Sequence, residues 1–323
     1  MAYTKDIEPT IPKGSLKAKV ENDRKTNEPK EDKYTQALGK YNCQVDEEAV
    51  RSTLRQIVAE KVPANDNVDV KKFLLGSVEL TSLHTTDTDE SILAMTEKVN
   101  KFDETYPDLP HVATVCVYPN FAHIVSQSLE VDGVEVAVVS GSFPSSQTFM
   151  EVKIAETALA IRDGATNVDI VMPVGKFLSG DYEGLADDID ELKQTCGDVP
   201  MKVILETCDL GSLSNVKKAA LLSMYSGADY IKTSTGKEKQ GATPEAVYVM
   251  CQAIKEYHEQ TGRMVGLKPA GGINTVMDAV IYYTIVKEVL GEQWLTNTLF
   301  RLGTSRLTNQ LISEVLGKEI KWY

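Results

Sequence analysis

From about residue 73 the chain alternates between two hydrophobic rhythms. Short β-branched runs read as strands: "FLLGSVEL", "HVATVCVYP", "VEVAVVSGS", "NVDIVMPV", "MKVILET", "DYIKTSTG", "MVGLKPAGG" and "LFRLGTS". Between them, apolar residues recur at helical spacing, as in "EVKIAETALAIRDG", "YEGLADDIDELKQTC", "LSNVKKAALLSMYSG" and "TPEAVYVMCQAIKEYHEQTG". Several of these stretches end in glycine, as helix C-termini often do. Eight strand–helix units in roughly 240 residues match an eightfold β/α (TIM) barrel of parallel strands in count and size. A doubly wound open sheet is the rival, but no G-x-G-x-x-G follows the first strand, which weakens a dinucleotide-binding reading.

The ends of the chain differ from this pattern. Residues 1–45 are polar, and "KVENDRKTNEPKEDK" has no apolar period, so it cannot bury enough surface to offset its ordering entropy. The segment reads as a solvated, mobile tail, with a partner-binding arm as the alternative. Residues 46–72 read as a helical extension, in which "DEEAVRSTLRQIVAE" carries acidic residues in its first turn. Such a helix could plug the bottom of a barrel. The barrel itself is expected over 73–316, followed by a tail over 317–323.

In a β/α barrel the active site lies at the C-terminal ends of the strands, so the polar residues that close these strands are the candidates. Strand side chains alternate between faces. In "DYIKTSTG", Ile231 suits the helix-facing layer, which turns Lys232 inward with Tyr230 and Ser234. In "MVGLKPAGG", Val265 and Leu267 face the helices and Lys268 faces inward; in "NVDIVMPV", Asp169 does. Adjacent strands lie about 4.8 Å apart, so Lys232 and Lys268 on successive strands would converge. A lysine of pKa about 10.4 is mostly protonated at neutral pH and cannot attack a carbonyl. Burial and a second ammonium both disfavour its charged form. Asp169 can keep Lys268 charged, so that Lys268 depresses Lys232. An ordinary buried ion network is the alternative for the same three residues.

"STGK" is not a nucleotide phosphate loop, because no glycine lies five residues before Gly236 and Glu238 follows Lys237. Phosphate-binding equipment is expected elsewhere. "KPAGGIN" places Gly271 and Gly272 after strand seven, and "RLGTSR" places Gly303, Thr304 and Ser305 after strand eight, where such barrels often bind phosphate.

Composition narrows the function. The net charge of −13 opposes nonspecific nucleic-acid binding. No run approaches the roughly 18 apolar residues of a membrane span, and the N-terminus lacks the apolar core of a secretory signal. The five cysteines form no C-x-x-C pair and the four histidines have no ligand spacing, which argues against a disulfide scaffold or a metal site and for a reducing cytoplasm.

Taken together, "YIKTSTGKE", "GLKPAGGIN", "ATNVDIVMPVG", "VCVYPNF" and "LFRLGTS" resemble the deoxyribose-phosphate aldolase family, over roughly residues 74–316. The resemblance implies a cytoplasmic class I lyase without cofactor or metal. It would cleave 2-deoxy-D-ribose 5-phosphate reversibly into D-glyceraldehyde 3-phosphate and acetaldehyde, and a homodimer is the family's expectation. It also implies Lys232 as the Schiff-base lysine, Lys268 as the second lysine and Asp169 as the proton-relay acid. Thr235 and Lys237 would line the substrate channel. Thr81 is retained as a candidate proton relay, and Tyr323, ending the chain in "KWY", either assists proton transfer or is a surface tail. Cys116 reads as a buried small hydrophobe near the mouth. Three positions depart from the family pattern. Glu79 stands where Asp is usual, Asn274 where Arg is common, and Arg306 where a small hydroxyl residue is common. A Schiff-base barrel with another aldehyde or phosphorylated substrate, or a phosphate-ligand binding barrel without catalysis, are the rival functions.

Overall fold

The computed structural model describes residues 33–323. Eight parallel strands form one sheet in the order β7-β6-β5-β4-β3-β2-β1-β8. They are β1 (Val78–Thr81), β2 (Thr114–Val117), β3 (Glu135–Ser140), β4 (Asn167–Val171), β5 (Met201–Ile204), β6 (Tyr230–Lys232), β7 (Gly266–Lys268) and β8 (Leu302–Thr304). Parallel bridges Leu267–Phe300 and Ala270–Gly303 join β7 to the β8 segment and close the ring. The expected eightfold β/α barrel is therefore the architecture.

The helices follow from their sequences. Thr243 caps Pro244–Thr261 by accepting from the Ala246 amide, and Gly262 ends it at φ 73°. Tyr182–Cys196 coincides with its apolar period and buries Leu185, Ile189 and Leu192. Buried side chains of the helices and of the outward strand positions, such as Val168, Ile170, Ile231 and Leu267, form one continuous core outside the ring.

The first predicted strand starts too early. Residues 73–75 complete the helix Val68–Leu75, whose Asn67 cap accepts from the Val70 amide, and β1 begins only at Val78. An apolar "FLL" run serves a buried helix turn as well as a strand. The helix Glu47–Glu60 forms as expected, with Asp46 as its cap and Val50, Leu54 and Ile57 buried. It packs on the outer helices Pro244–Thr261 and Val276–Leu290 rather than plugging the bottom. The expected mobile segment 1–45 lies partly outside the described residues. From residue 33 it is docked: Lys33–Leu38 is helical, Leu38 and Cys43 are buried, and Lys217 Nζ donates to the Asn42 carbonyl at 2.8 Å.

Inside the ring, one glycine is fixed by its neighbour. Gly266 pairs with Tyr230, and a Cβ at Gly266 would stand 2.3 Å from the Tyr230 ring. Tyr230 fills that level of the interior. Gly266→Ala is expected to destabilise the fold by about 1–3 kcal/mol through overpacking, measured by denaturant unfolding.

Candidate active site

Register brings the expected residues together. On β6 and β7, Lys232 pairs with Lys268, and on β4 and β5, Asp169 pairs with Lys202. Asp169 Oδ2 accepts from Lys232 Nζ at 2.8 Å and from Lys268 Nζ at 2.7 Å. Lys268 also donates to Glu79 Oε2 from β1. All four side chains are buried, Lys232 being 3% exposed and the others 0%.

The ion network continues below this trio. Lys202 Nζ lies 3.4 Å from Glu79 Oε1 and 3.3 Å from Asp169 Oδ1, and it donates to Asn167 Oδ1 at 2.8 Å. Arg301 lies 4.0 Å from Glu79 and pairs with Glu135 at 2.9 Å. Four basic groups (Lys202, Lys232, Lys268, Arg301) thus face three carboxylates (Glu79, Asp169, Glu135). A buried surplus cation is costly, and loss of one proton restores the balance. Geometry selects which group gives it up. Burial lowers the pKa of Lys232, Asp169 opposes this, and the Lys268 charge adds to the lowering. For Lys268, burial is outweighed by Asp169 and Glu79 together, and its pKa is raised. Asp169 is held well below the usual carboxylate range: burial opposes, but Lys232, Lys268 and Lys202 prevail. Lys268 therefore keeps its proton and Lys232 is the amine disposed to lose one.

Glu79 bridges Lys202 through Oε1 and Lys268 through Oε2, and it is ionised: burial opposes, but the two lysines lower its pKa. Lys202 escaped the sequence reading. Its flanking Met201 and Val203 face outward in β5, and the alternation that picked out Lys232 marks Lys202 equally well. The carboxylates of Glu79 and Asp169 and the Cys116 thiol bring possible ligand atoms within 4.8 Å of one another. Here the lysine ammoniums already meet those carboxylates.

The interior has two walls. Cys116 and the neighbouring Ala137 and Val139, from β2 and β3, form a small apolar cluster with Leu83; opposite them β1 and β4–β7 supply Glu79, Asp169 and the lysines, while Glu135 at the start of β3 and Arg301 add charge at the lower end. Cys116 is fully buried, as expected, and burial pushes its thiol pKa up.

Above Lys232 opens a cavity of about 270 Å³. Thr81, Thr235, Lys237, Gly271, Gly272, Gly303, Thr304 and Ser305 all line it, together with Asn274, Arg306 and His84. Gly271 needs its φ of +74° and its missing side chain, because a Cβ would stand 3.2 Å from the Cα atoms of Gly236 and Gly241. Thr235 donates to Glu206 Oε2 at 2.5 Å and accepts from the Lys237 amide at 3.0 Å. Glu206, buried with φ 49°, thereby shapes the loop after β6, and burial raises its pKa against the Thr235 hydrogen bonds. It too escaped the sequence reading, since nothing in "ILET" distinguishes it from a surface acid. Lys237 Nζ reaches across the mouth to donate to the Leu83 carbonyl. Thr81 borders the cavity, with its hydroxyl committed to the Glu79 carbonyl at 2.8 Å.

Tyr323 is not among these residues, so its possible proton-relay role finds no support in this geometry. Its ring stacks on Phe102 at 5.8 Å, and Asn309 accepts from the Trp322 and Tyr323 amides. Together with the bond that Asn309 Nδ2 donates to the Tyr323 carbonyl, and a cluster of aromatic rings, these hold the tail against the helical wall around Phe102.

A closed parallel barrel in which two buried lysines share one carboxylate, one of them disposed to lose its proton, is an arrangement suited to amine-nucleophile chemistry of the Schiff-base kind. A family model described as DeoC/LacD family aldolase matches residues 76–290. The chain belongs to that family. It is 42% identical over 205 residues to the deoxyribose-phosphate aldolase of Mus musculus and 40% identical over 205 residues to that of Homo sapiens. In both cases the match covers 63% of this chain and 64% of the relative's length. Among solved structures, the deoxyribose phosphate aldolase of Aeropyrum pernix, described as tetrameric, superposes with a TM-score of 0.61 at 24% identity. That match covers 80% of this chain and 97% of the other, and it bears on the fold.

Proposed function

We propose that this chain is a class I aldolase that cleaves 2-deoxy-D-ribose 5-phosphate reversibly into D-glyceraldehyde 3-phosphate and acetaldehyde. The observation that carries the reading is Lys232, nearly buried yet lining the cavity, with its Nζ 2.8 Å from Asp169. Lys232, as the free amine, attacks C1 of the open-chain sugar, and loss of water gives the iminium. Asp169, with Lys268 and water, takes the C3 hydroxyl proton. The C2–C3 bond breaks, its electron pair flows into the iminium, and D-glyceraldehyde 3-phosphate leaves the resulting enamine. Protonation at C2 and hydrolysis release acetaldehyde and restore Lys232. The iminium is the electron sink, so the step asks for no Lewis acid. The apolar wall of Cys116, Ala137 and Val139 suits a two-carbon donor without a hydroxyl at C2.

The phosphate would sit among the loops after β6, β7 and β8, with Gly271, Gly272, Gly303, Thr304 and Ser305 offering backbone and hydroxyl donors and Lys237 charge. Arg306 lines the same cavity as Asn274, so the guanidinium missing at 274 is supplied from the next loop. Lys237→Met and Arg306→Ala should each raise KM for the phosphorylated sugar about tenfold or more, the worth of a charge-assisted contact. Neither should raise KM for unphosphorylated 2-deoxyribose. Equal effects on both sugars would remove these residues from the phosphate site.

No helix among the described residues is long and apolar enough to cross a membrane. All five cysteines are free and four are buried, which suits the reducing cytoplasm. The reading is tested by trapping. Acetaldehyde with borohydride should alkylate the enzyme irreversibly, and peptide mass spectrometry should place the adduct on Lys232. An unmodified Lys232 peptide would favour a binding barrel without catalysis.

A further inference from the structure

We propose that the cleft between the loops following β3 and β4 is a second anion-binding site, built for a phosphate-sized oxyanion and separate from the catalytic cavity. The cleft has a volume of about 520 Å³ and lies on the same face of the barrel as Lys232, in the sector of β3 and β4 rather than of β6–β8. Its chemistry centres on two lysines and one carboxylate. Asp188 Oδ1 is already matched by Lys176 Nζ at 2.9 Å, and Lys176 also donates to the Gly184 carbonyl at 3.0 Å. Lys153 is the surplus cation.

The side chain of Lys153 is only 3% exposed, yet its ammonium makes one close hydrogen bond, to Ser146 Oγ at 2.9 Å. Asp188 Oδ2 lies 3.7 Å away, outside hydrogen-bonding distance. An ammonium carries three donors, and a buried charge with donors to spare is costly unless an acceptor enters. Asp188 is the only carboxylate among the lining residues, so two cations face one anion. Hydroxyls of Ser146 and Thr148 border the same space and can donate to oxyanion oxygens, while the Ser179 hydroxyl, also at its edge, donates to the Lys176 carbonyl at 3.0 Å. Ser146 is held at φ 59°, an unusual conformation for a residue with a side chain, and its hydroxyl meets Lys153 there. Burial also pushes the Lys153 pKa down, with Asp188 opposing, and a bound anion would offset that cost. On a chain of net charge −13, a surplus cation held in a cavity is not a by-product of general basicity.

Equilibrium dialysis of the full chain against radiolabelled inorganic phosphate tests the proposal. The unaltered protein should bind two phosphates per chain. Lys176→Met and Lys153→Met should each lose one of them, while Lys237→Met loses the other and keeps this one. Lys176 is 38% exposed, so its replacement reads the site even if burying methionine at 153 prevents folding. A single phosphate that Lys176→Met removes and Lys237→Met leaves in place would uphold this site while removing the catalytic one. A single phosphate that Lys237→Met abolishes and Lys176→Met leaves, or two phosphates that both survive Lys176→Met, would overturn it.

Discussion

Lys232→Ala is expected to lower kcat/KM for 2-deoxyribose 5-phosphate by roughly 10⁴-fold or more, the scale on which loss of a nucleophile is felt. It should also abolish borohydride trapping. On the proposed mechanism the alanine removes the iminium nitrogen, and neither of the other two lysines of the barrel interior among the described residues is placed to substitute for it. Lys268 is held charged by Asp169 and Glu79, and Lys202 lies lower in the barrel, against Asn167 and the Tyr230 ring. The protein should remain folded, because the variant removes the one amine disposed to be neutral and strands no carboxylate: Asp169 keeps Lys268 and Lys202 as partners. Residual turnover within tenfold of the unaltered enzyme would place the nucleophile elsewhere.

Lys268→Leu should lower kcat/KM by roughly 10²- to 10⁴-fold, the range of lost proton-transfer catalysis, and it should displace the pH profile in a defined direction. The reactive form of Lys232 is the free amine, which dominates above its pKa. The charge on Lys268 depresses that pKa, and Lys268 also shares Asp169 Oδ2 with Lys232. Removing Lys268 withdraws the repulsion and leaves Asp169 to stabilise the Lys232 ammonium, so the pKa rises. The acid limb of kcat/KM should therefore move to higher pH, and raising the pH should recover part of the activity. Stopped assays across the pH range decide the matter. A uniform loss with an unmoved acid limb would mean that Lys268 serves proton transfer alone and does not tune its neighbour.

The convergence of Lys232, Lys268 and Asp169 was legible because it needs only strand period and strand order. A side-chain alternation of two puts each inward, and successive strands put the two lysines side by side. The loops after β7 and β8 were legible for a similar reason, since glycines mark where backbone must come close. Lys202 follows from the same alternation but ends no strand at the mouth, and the search for residues at strand ends passes over it. Glu206 depends on a left-handed backbone and on a hydrogen bond to Thr235, neither of which has a signature in four letters of sequence. The fate of Tyr323 turns on Asn309 and Phe102, partners that only the folded chain brings near. The sequence of Glu47–Glu60 specifies a helix but leaves its seat open, because an amphipathic stripe says that one side is covered and not by what.

At the level of Asp169 and the two paired lysines, the interior divides into an apolar patch of Cys116, Ala137 and Val139 and an ionic side on β1 and β4–β7, and this division has an evolutionary consequence. On the proposed function, methyl-sized exchanges at positions 116, 137 and 139 would alter the packing behind the cavity wall at Leu83 and so the space for a small donor. The acid–base machinery stays in place while they do. Donor scope and amine reactivity are thus inherited on different strands, and a descendant can change the first without relearning the second.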